Sequence, residues 1–286
     1  MRDTRLEPAR QRARRPVRHV VPRPCRACLA LLVLPACTEF EQGSDTIDIE
    51  TETVTAAALG GSWGCLDDAP GPSVSDAANA PRAVRSLRVT GFVGENEVSG
   101  VRARACTLRD PDCLSPVTPW METTVDGWVD VPLYAGFDGY LEITGPGAVP
   151  VMVFYSAPLA MDTAVDPEAV FVVDTDTALS FDRLFLGREA FPSTGVINVR
   201  AMDCANAPAQ GVQFRLEPSA VGWYYVADIP VATAKATTES GIGGFSDVRP
   251  GTAVVTAELA ESGRALAPPR SVFVRAGWFT NIRFRR

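Results

Sequence analysis

At 286 residues the chain is long enough for one large or two modest domains, and its 46% hydrophobic content is that of a globular protein. The formal charge of −7 conceals an asymmetry, because residues 1–36 carry nine Arg against Asp3 and Glu7, leaving 18 bases against 32 acids from residue 37 onward. So acidic a remainder would be repelled by phosphate backbones, which makes nucleic acid a poor partner, and the only histidine, His19, lies upstream of it. Without histidine the commonest general base and the commonest metal ligand are both gone.

The first element is a leader. Residues 29–34, Leu-Ala-Leu-Leu-Val-Leu, form a short apolar run behind the arginine-rich stretch, far below the roughly 20 residues a membrane span needs. A basic region, a brief apolar run and small residues before a cut predict a secretory signal over residues 1–36. Its basic part is long, and Val17, Val20 or Val21 would serve as a non-AUG start. Arg14-Arg15 lack the flanking pattern of a twin-arginine signal, and Cys25 and Cys28 leave with the leader.

Leu34-Pro35-Ala36-Cys37 resembles the lipobox of bacterial lipoproteins, with Leu at −3, a small residue at −1 and Cys at +1. Pro35 departs from the residues usual at −2. The resemblance implies diacylglyceryl attachment at Cys37, anchoring to a membrane through lipid and a place in the cell envelope. Thr38 stands where Asp would imply retention at the inner membrane, so the resemblance points to the outer membrane.

Residues 37–80 follow as a tether. From 38 to 81 there are nine acids (Glu39, Glu41, Asp45, Asp48, Glu50, Glu52, Asp67, Asp68 and Asp76) and neither Lys nor Arg. Like charges extend such a stretch, and its Thr, Ala, Gly, Ser and Pro cannot bury enough apolar area to order it. Trp63-Gly64-Cys65-Leu66 is the exception, an apolar island expected to dock onto the first folded unit.

From residue 84 the pattern has a period of two. Val84, Leu87, Val89 and Val93 predict a first strand; Val101, Ala103 and Ala105 alternate with Arg102 and Arg104. Val129, Val131 and Leu133 alternate with Trp128, Asp130 and Pro132, and residues 140–143 and 149–155 continue the series. Residues 174–191 read as a packed connector with one helical turn near 180–186, Leu179, Leu184 and Phe185 on one side. The behaviour then repeats: Val196, Val199 and Ala201; Val212, Phe214 and Leu216; then 223–226, 253–259, 272–274 and a last strand at Ile282-Arg283-Phe284-Arg285.

An internal duplication emerges from these segments. Gly100-Val101-Arg102 lines up with Gly211-Val212-Gln213, Thr123-Thr124-Val125-Asp126-Gly127 with Thr237-Thr238-Glu239-Ser240-Gly241, and Val131-Pro132 with Val248-Arg249-Pro250. The second copy, from GVINVRAMDC through PAQGVQF to FSDVRPGTAVVTAEL, resembles the carboxypeptidase regulatory-like, or transthyretin-like, β-sandwich. Pro208 and Pro250 fix φ before strands, while Gly211 and Gly251 permit turns. The resemblance covers about 90 residues closely and 84–155 more loosely; it implies a fold and no catalytic residues.

Cys65, Cys106, Cys113 and Cys204 remain for disulfides, an even number suited to an oxidising compartment. Three pairings are possible. Short spacing favours Cys106–Cys113, stapling residues 107–112, and elimination then leaves Cys65–Cys204. Asp110 and Asp112, or Asp174 and Asp176, could offer hard oxygens to Ca²⁺, but neither has an EF-hand pattern and solvated turns account for both. Trp120, Trp128, Trp223, Tyr224 and Tyr225 could form a sugar-stacking platform or pack within the fold.

The sequence therefore predicts an all-β chain of two tandem Greek-key-type β-sandwich domains: signal 1–36, tether 37–80, sandwich 81–160, connector 161–192 and sandwich 193–286. No catalytic, cofactor-binding or metal-ligating residues are assigned. The expected role is non-catalytic, structural or binding, at the cell envelope, with another surface protein or an envelope polysaccharide as partner. The alternative is a carbohydrate-binding or carbohydrate-processing surface protein.

Overall fold

β-Branched and aromatic residues at every second position favour a strand that is stable only when one face is buried, and fifteen strands account for nearly half of the described residues. The computed structural model describes residues 62–67, 74, 79–91, 97–159, 168–186, 191–227, 230–231 and 233–285. Cys37, the leader and most of the tether lie outside these residues. Fifteen strands are described: β1 Arg82–Gly91, β2 Arg102–Thr107, β3 Met121–Glu122, β4 Trp128–Tyr134, β5 Gly139–Thr144, β6 Val151–Tyr155, β7 Glu168–Val172, β8 Gly195–Ala201, β9 Val212–Glu217, β10 Gly222–Val226, β11 Pro230–Val231, β12 Ile242–Val248, β13 Gly251–Leu259, β14 Arg270–Val274 and β15 Phe279–Phe284.

The one described α-helix, α1 Thr175–Leu186, follows β7 and is three turns long rather than the expected single turn. Asp174 starts it: its carboxylate accepts the Thr177 N–H at 2.8 Å and the Thr177 hydroxyl at 2.6 Å, satisfying donors of the first turn. No described helix is long and apolar enough to cross a membrane.

The architecture is all-β, and the two halves of the chain share one plan. In the first, β4-β1-β7 forms a sheet facing β2-β5-β6; in the second, β12-β8-β15 faces β9-β13-β14. Each half joins its first strand antiparallel to the strand after the Thr-Thr turn (β1 to β4, β8 to β12) and parallel to its last (β1 to β7, β8 to β15). The halves meet where β15 also pairs parallel with β6, Phe279 opposite Val151 and Arg283 opposite Tyr155. That pairing merges strands of both halves into a nine-stranded sheet, β11-β10-β12-β8-β15-β6-β5-β2-β3.

Two cores result. Leu87, Val89, Val131, Leu133, Ala103 and Leu141 fill the first, and Ile197, Val199, Phe214, Val255, Val272 and Phe284 the second. β6 is buried along its whole length because it serves both: Val151, Val153 and Tyr155 face the first core, Met152 and Phe154 the second.

The duplicated motif has matching atoms. Thr123 N–H donates to Val101 O (2.7 Å) and its hydroxyl accepts the Val101 N–H (3.2 Å); Thr237 N–H donates to Val212 O (2.8 Å) and its hydroxyl accepts the Val212 N–H (2.9 Å). Gly127 O accepts the N–H of Val89, and Gly241 O that of Ala201, each at 2.8 Å. The third equivalence is shifted. Val131 pairs with Arg85, four residues before Val89, whereas Phe245 pairs with Ile197, four before Ala201; Phe245, not Val248, therefore occupies the position of Val131. A register irregularity between Phe245 and Val248 hides this in the sequence.

Candidate functional site

Charge is concentrated where the halves meet. Arg104 on β2 and Glu142 on β5 are directly opposite, and Arg275 reaches in from the loop after β14. Glu142 is 1% exposed and divides its oxygens: Oε2 takes Arg104 at 2.6 Å, Oε1 takes Arg275 at 2.6 Å. Arg275 also donates to Pro111 O, and to the Tyr140 hydroxyl at 3.3 Å, which itself donates to Asp110 O at 2.7 Å. Trp120 lies 4.4 Å from the Arg104 guanidinium and Trp278 lies 4.7 Å from that of Arg275, so a ring flanks each cation. The set clamps β2, β5 and the loop after β14 together. Burial pushes the Tyr140 hydroxyl up to about 12.

Both favoured disulfides are formed. Cys106–Cys113 closes the loop beside this clamp, and Asp110 braces it by accepting the N–H groups of Leu114 (2.9 Å) and Ser115 (2.6 Å), which hold its carboxyl below the usual range. The two sulfurs and the Glu142 carboxylate are close enough to ligate a cation. They do not suit one, because the sulfurs are bonded to each other and both Glu142 oxygens are taken by arginines.

Cys65–Cys204 corrects the expectation for the tryptophan island. Residues 62–67 dock onto the second half, not the first: Leu66 and Trp63 pack with the second core. Polar groups explain the choice. Cys204 N–H donates to Ser62 O at 2.9 Å, and Asp203 accepts the N–H groups of Ser62 (3.0 Å), Ala205 (2.9 Å) and Ala207 (2.8 Å). Burial raises the Asp203 pKa, but those donors outweigh it and hold the carboxyl below its ordinary value. Asp67 pairs with Arg264 at the rim.

The five aromatics do not converge. Tyr224 and Tyr225 are buried, and burial raises both hydroxyls; Trp120 and Trp128 are half-buried. Trp223 alone of the five is exposed, at 44%, and it borders a groove of about 280 Å³ with Phe214, Tyr225, Phe245, Gln213 and Lys235. Asp110 and Asp174 are both committed to N–H and hydroxyl donors of their own loops, as turn residues are. Glu142 and Arg275 went unnoticed in the sequence. The usable signal was Glu142 itself, a lone acid inside the apolar strand GYLEIT.

Neither a family model nor a curated protein matches this chain. Solved structures match at low similarity. The Bacillus anthracis TIE protein is 12% identical with a TM-score of 0.26, over 71% of this chain and 34% of that one. The shaft pilin SpaA from Lactobacillus rhamnosus GG is 12% identical with a TM-score of 0.25, over 71% and 97%. BcpA, the major pilin subunit of Bacillus cereus, is 12% identical with a TM-score of 0.25, over 72% and 99%. The chain thus spans about a third of the length of the TIE protein. At these scores the likenesses leave function to be argued from the residues themselves.

Proposed function

We propose that this protein is a non-catalytic module of the cell envelope, lipid-anchored at Cys37 and held on an acidic spacer over 37–80, with sandwich units at 81–160 and 193–286. The observation that carries the reading is the use made of its charged and sulfur groups. Glu142, Asp203, Asp110 and Asp174 hold loops and strands together, and four cysteines lock loop and tether base as disulfides. A chain stapled in this way suits an oxidising compartment and a structural or binding task. The lipobox-like Leu34-Pro35-Ala36-Cys37 supports the anchor, Thr38 the outer membrane, and the PAQGVQF-containing second unit the carboxypeptidase regulatory-like resemblance. Its partner on this reading is another surface protein or an envelope polysaccharide.

Intact-mass analysis of the mature protein tests the anchor. A species beginning at Cys37 and carrying diacylglyceryl, lost together with membrane fractionation in Cys37→Ser, is the expected result. A water-soluble mature chain with a free or disulfide-bonded Cys37 would reduce the reading to simple secretion.

A further inference from the structure

The groove beside Trp223 is made by a local difference between the two halves. In the first, the outer edge of β2 is covered by β3, Arg102 opposite Glu122 and Ala103 opposite Met121. In the second, the equivalent edge of β9 is not joined to any described strand, and β10 instead extends the other sheet beside β12. The space between them is the groove. Gly243 and Gly244 shape it: a Cβ on Gly243 would lie 2.6 Å from the Tyr225 ring, and one on Gly244 would collide with Ile197 O on β8 and lie 2.6 Å from the Tyr224 hydroxyl. Glycine there lets the two tyrosine rings lie against β12. Tyr225 then stacks on Phe214 (5.7 Å, 25°) and meets Trp223 at 65°, so no parallel ring among the described residues covers the indole.

Polar groups decide what the groove suits. Lys235, the only lysine of the chain, is exposed at its rim; no carboxylate lines it, and none pairs with Lys235 among the described residues. A cation with no carboxylate partner among the described residues, in a chain otherwise dominated by acids, complements an anionic group. A peptide adding to β9 as a strand would find two of the edge donors already used. Phe214 N–H donates to the Tyr225 hydroxyl at 2.9 Å and Val212 N–H to Thr237. Stacking on an open indole beside a lysine and an amide remains, in a volume at the small end of the roughly 300–1,000 Å³ of ligand sites.

We propose that this groove binds an acidic saccharide, a pyranose ring lying on Trp223 with its carboxylate against Lys235 and its hydroxyls within reach of Gln213. The proposal deepens the reading of a non-catalytic binding module by naming its ligand class. It does not depend on lipid at Cys37, so the mass analysis above can fail while the groove still binds.

Native affinity electrophoresis of the folded, disulfide-bonded protein tests it, with polygalacturonate in one gel and neutral dextran in another. Retardation by polygalacturonate alone is expected, at least about tenfold weaker in Trp223→Ala and in Lys235→Gln and largely kept in Trp223→Phe and Lys235→Arg. Both positions are exposed, and unchanged circular dichroism and melting would show that each variant is folded. Absence of retardation by polygalacturonate would overturn the proposal, as would retardation indifferent to both substitutions. Equal retardation by dextran would remove the acidic ligand. Displacement by hexaglutamate as effective as by trigalacturonate would reassign the groove to acidic peptide.

Discussion

A carboxylate with 1% of its surface exposed is costly unless both oxygens are answered, and each oxygen of Glu142 faces a different arginine. Glu142→Gln keeps the shape but leaves two guanidinium groups partly buried against a neutral amide. We expect a loss of about 3 kcal/mol in denaturant-induced unfolding, with a less than additive effect when combined with Arg275→Met. Tyr140, two residues away, adds a pH dependence. Burial raises its folded pKa to about 12, above the unfolded value of about 10, so its contribution is full below pH 10 and disappears as the pH rises through 12. Stability measured from pH 9 to 12 should therefore fall less steeply in Tyr140→Phe than in the parent. Tyr224 and Tyr225, also raised by burial, keep part of the slope. Arg104 was legible as the outward residue of an alternating strand, but its pairing with Glu142 was not. Nothing local announces that a residue 38 positions later lies opposite, because register is set by the turns and the faces to be buried.

Among the elements, the glycine that ends the second Thr-Thr-x-x-Gly turn contrasts sharply with the glycine that precedes β2. Gly241 has φ +66, and a Cβ there would lie 2.6 Å from Ala201 O and 2.7 Å from Ala209 N; Gly100 has φ +73 with nothing within 4 Å. Gly241→Ala should cost about 3 kcal/mol or more in thermal unfolding, because backbone must move, while Gly100→Ala should cost only about 1 kcal/mol of left-handed strain. Equal effects would mean that the turn at Gly241 relaxes freely. Strands such as β2, β4 and β9 were readable because one face is wet and the alternation is clean. β12 went unread: Ile-Gly-Gly-Phe-Ser-Asp-Val has poor strand propensity, and its glycines leave room for the Tyr225 ring at Gly243 and for Ile197 O and Tyr224 at Gly244. The duplication was visible at Gly100 and Thr123 because turn chemistry is local, and misplaced by three residues at Val131 because an irregularity intervenes.

For the whole molecule, β15 is the strand on which both cores depend. Phe279 enters the first core and Ile282 and Phe284 the second, while its two edges pair with β6 and β8. Its alternation was legible in sequence; its position between the halves was not, since parallel partners are assigned by tertiary packing of distant segments. The disulfide Cys65–Cys204 adds a second connection, closing a 139-residue separation that contains the whole first half. In the chain-entropy picture such a loop is worth about 5 kcal/mol, against about 2 kcal/mol for Cys106–Cys113. Coupling through one shared strand and one long cross-link makes the halves unfold together. Calorimetry should give a single transition whose calorimetric and van't Hoff enthalpies agree. Phe279→Ala, which touches only the first core, should lower that one transition rather than split it, whereas two separated melts would mean that β15–β6 pairing is a weak contact between independent sandwiches. Cys65→Ser with Cys204→Ser should lower the same transition and leave it single, because the sheet still joins the halves when the cross-link is gone.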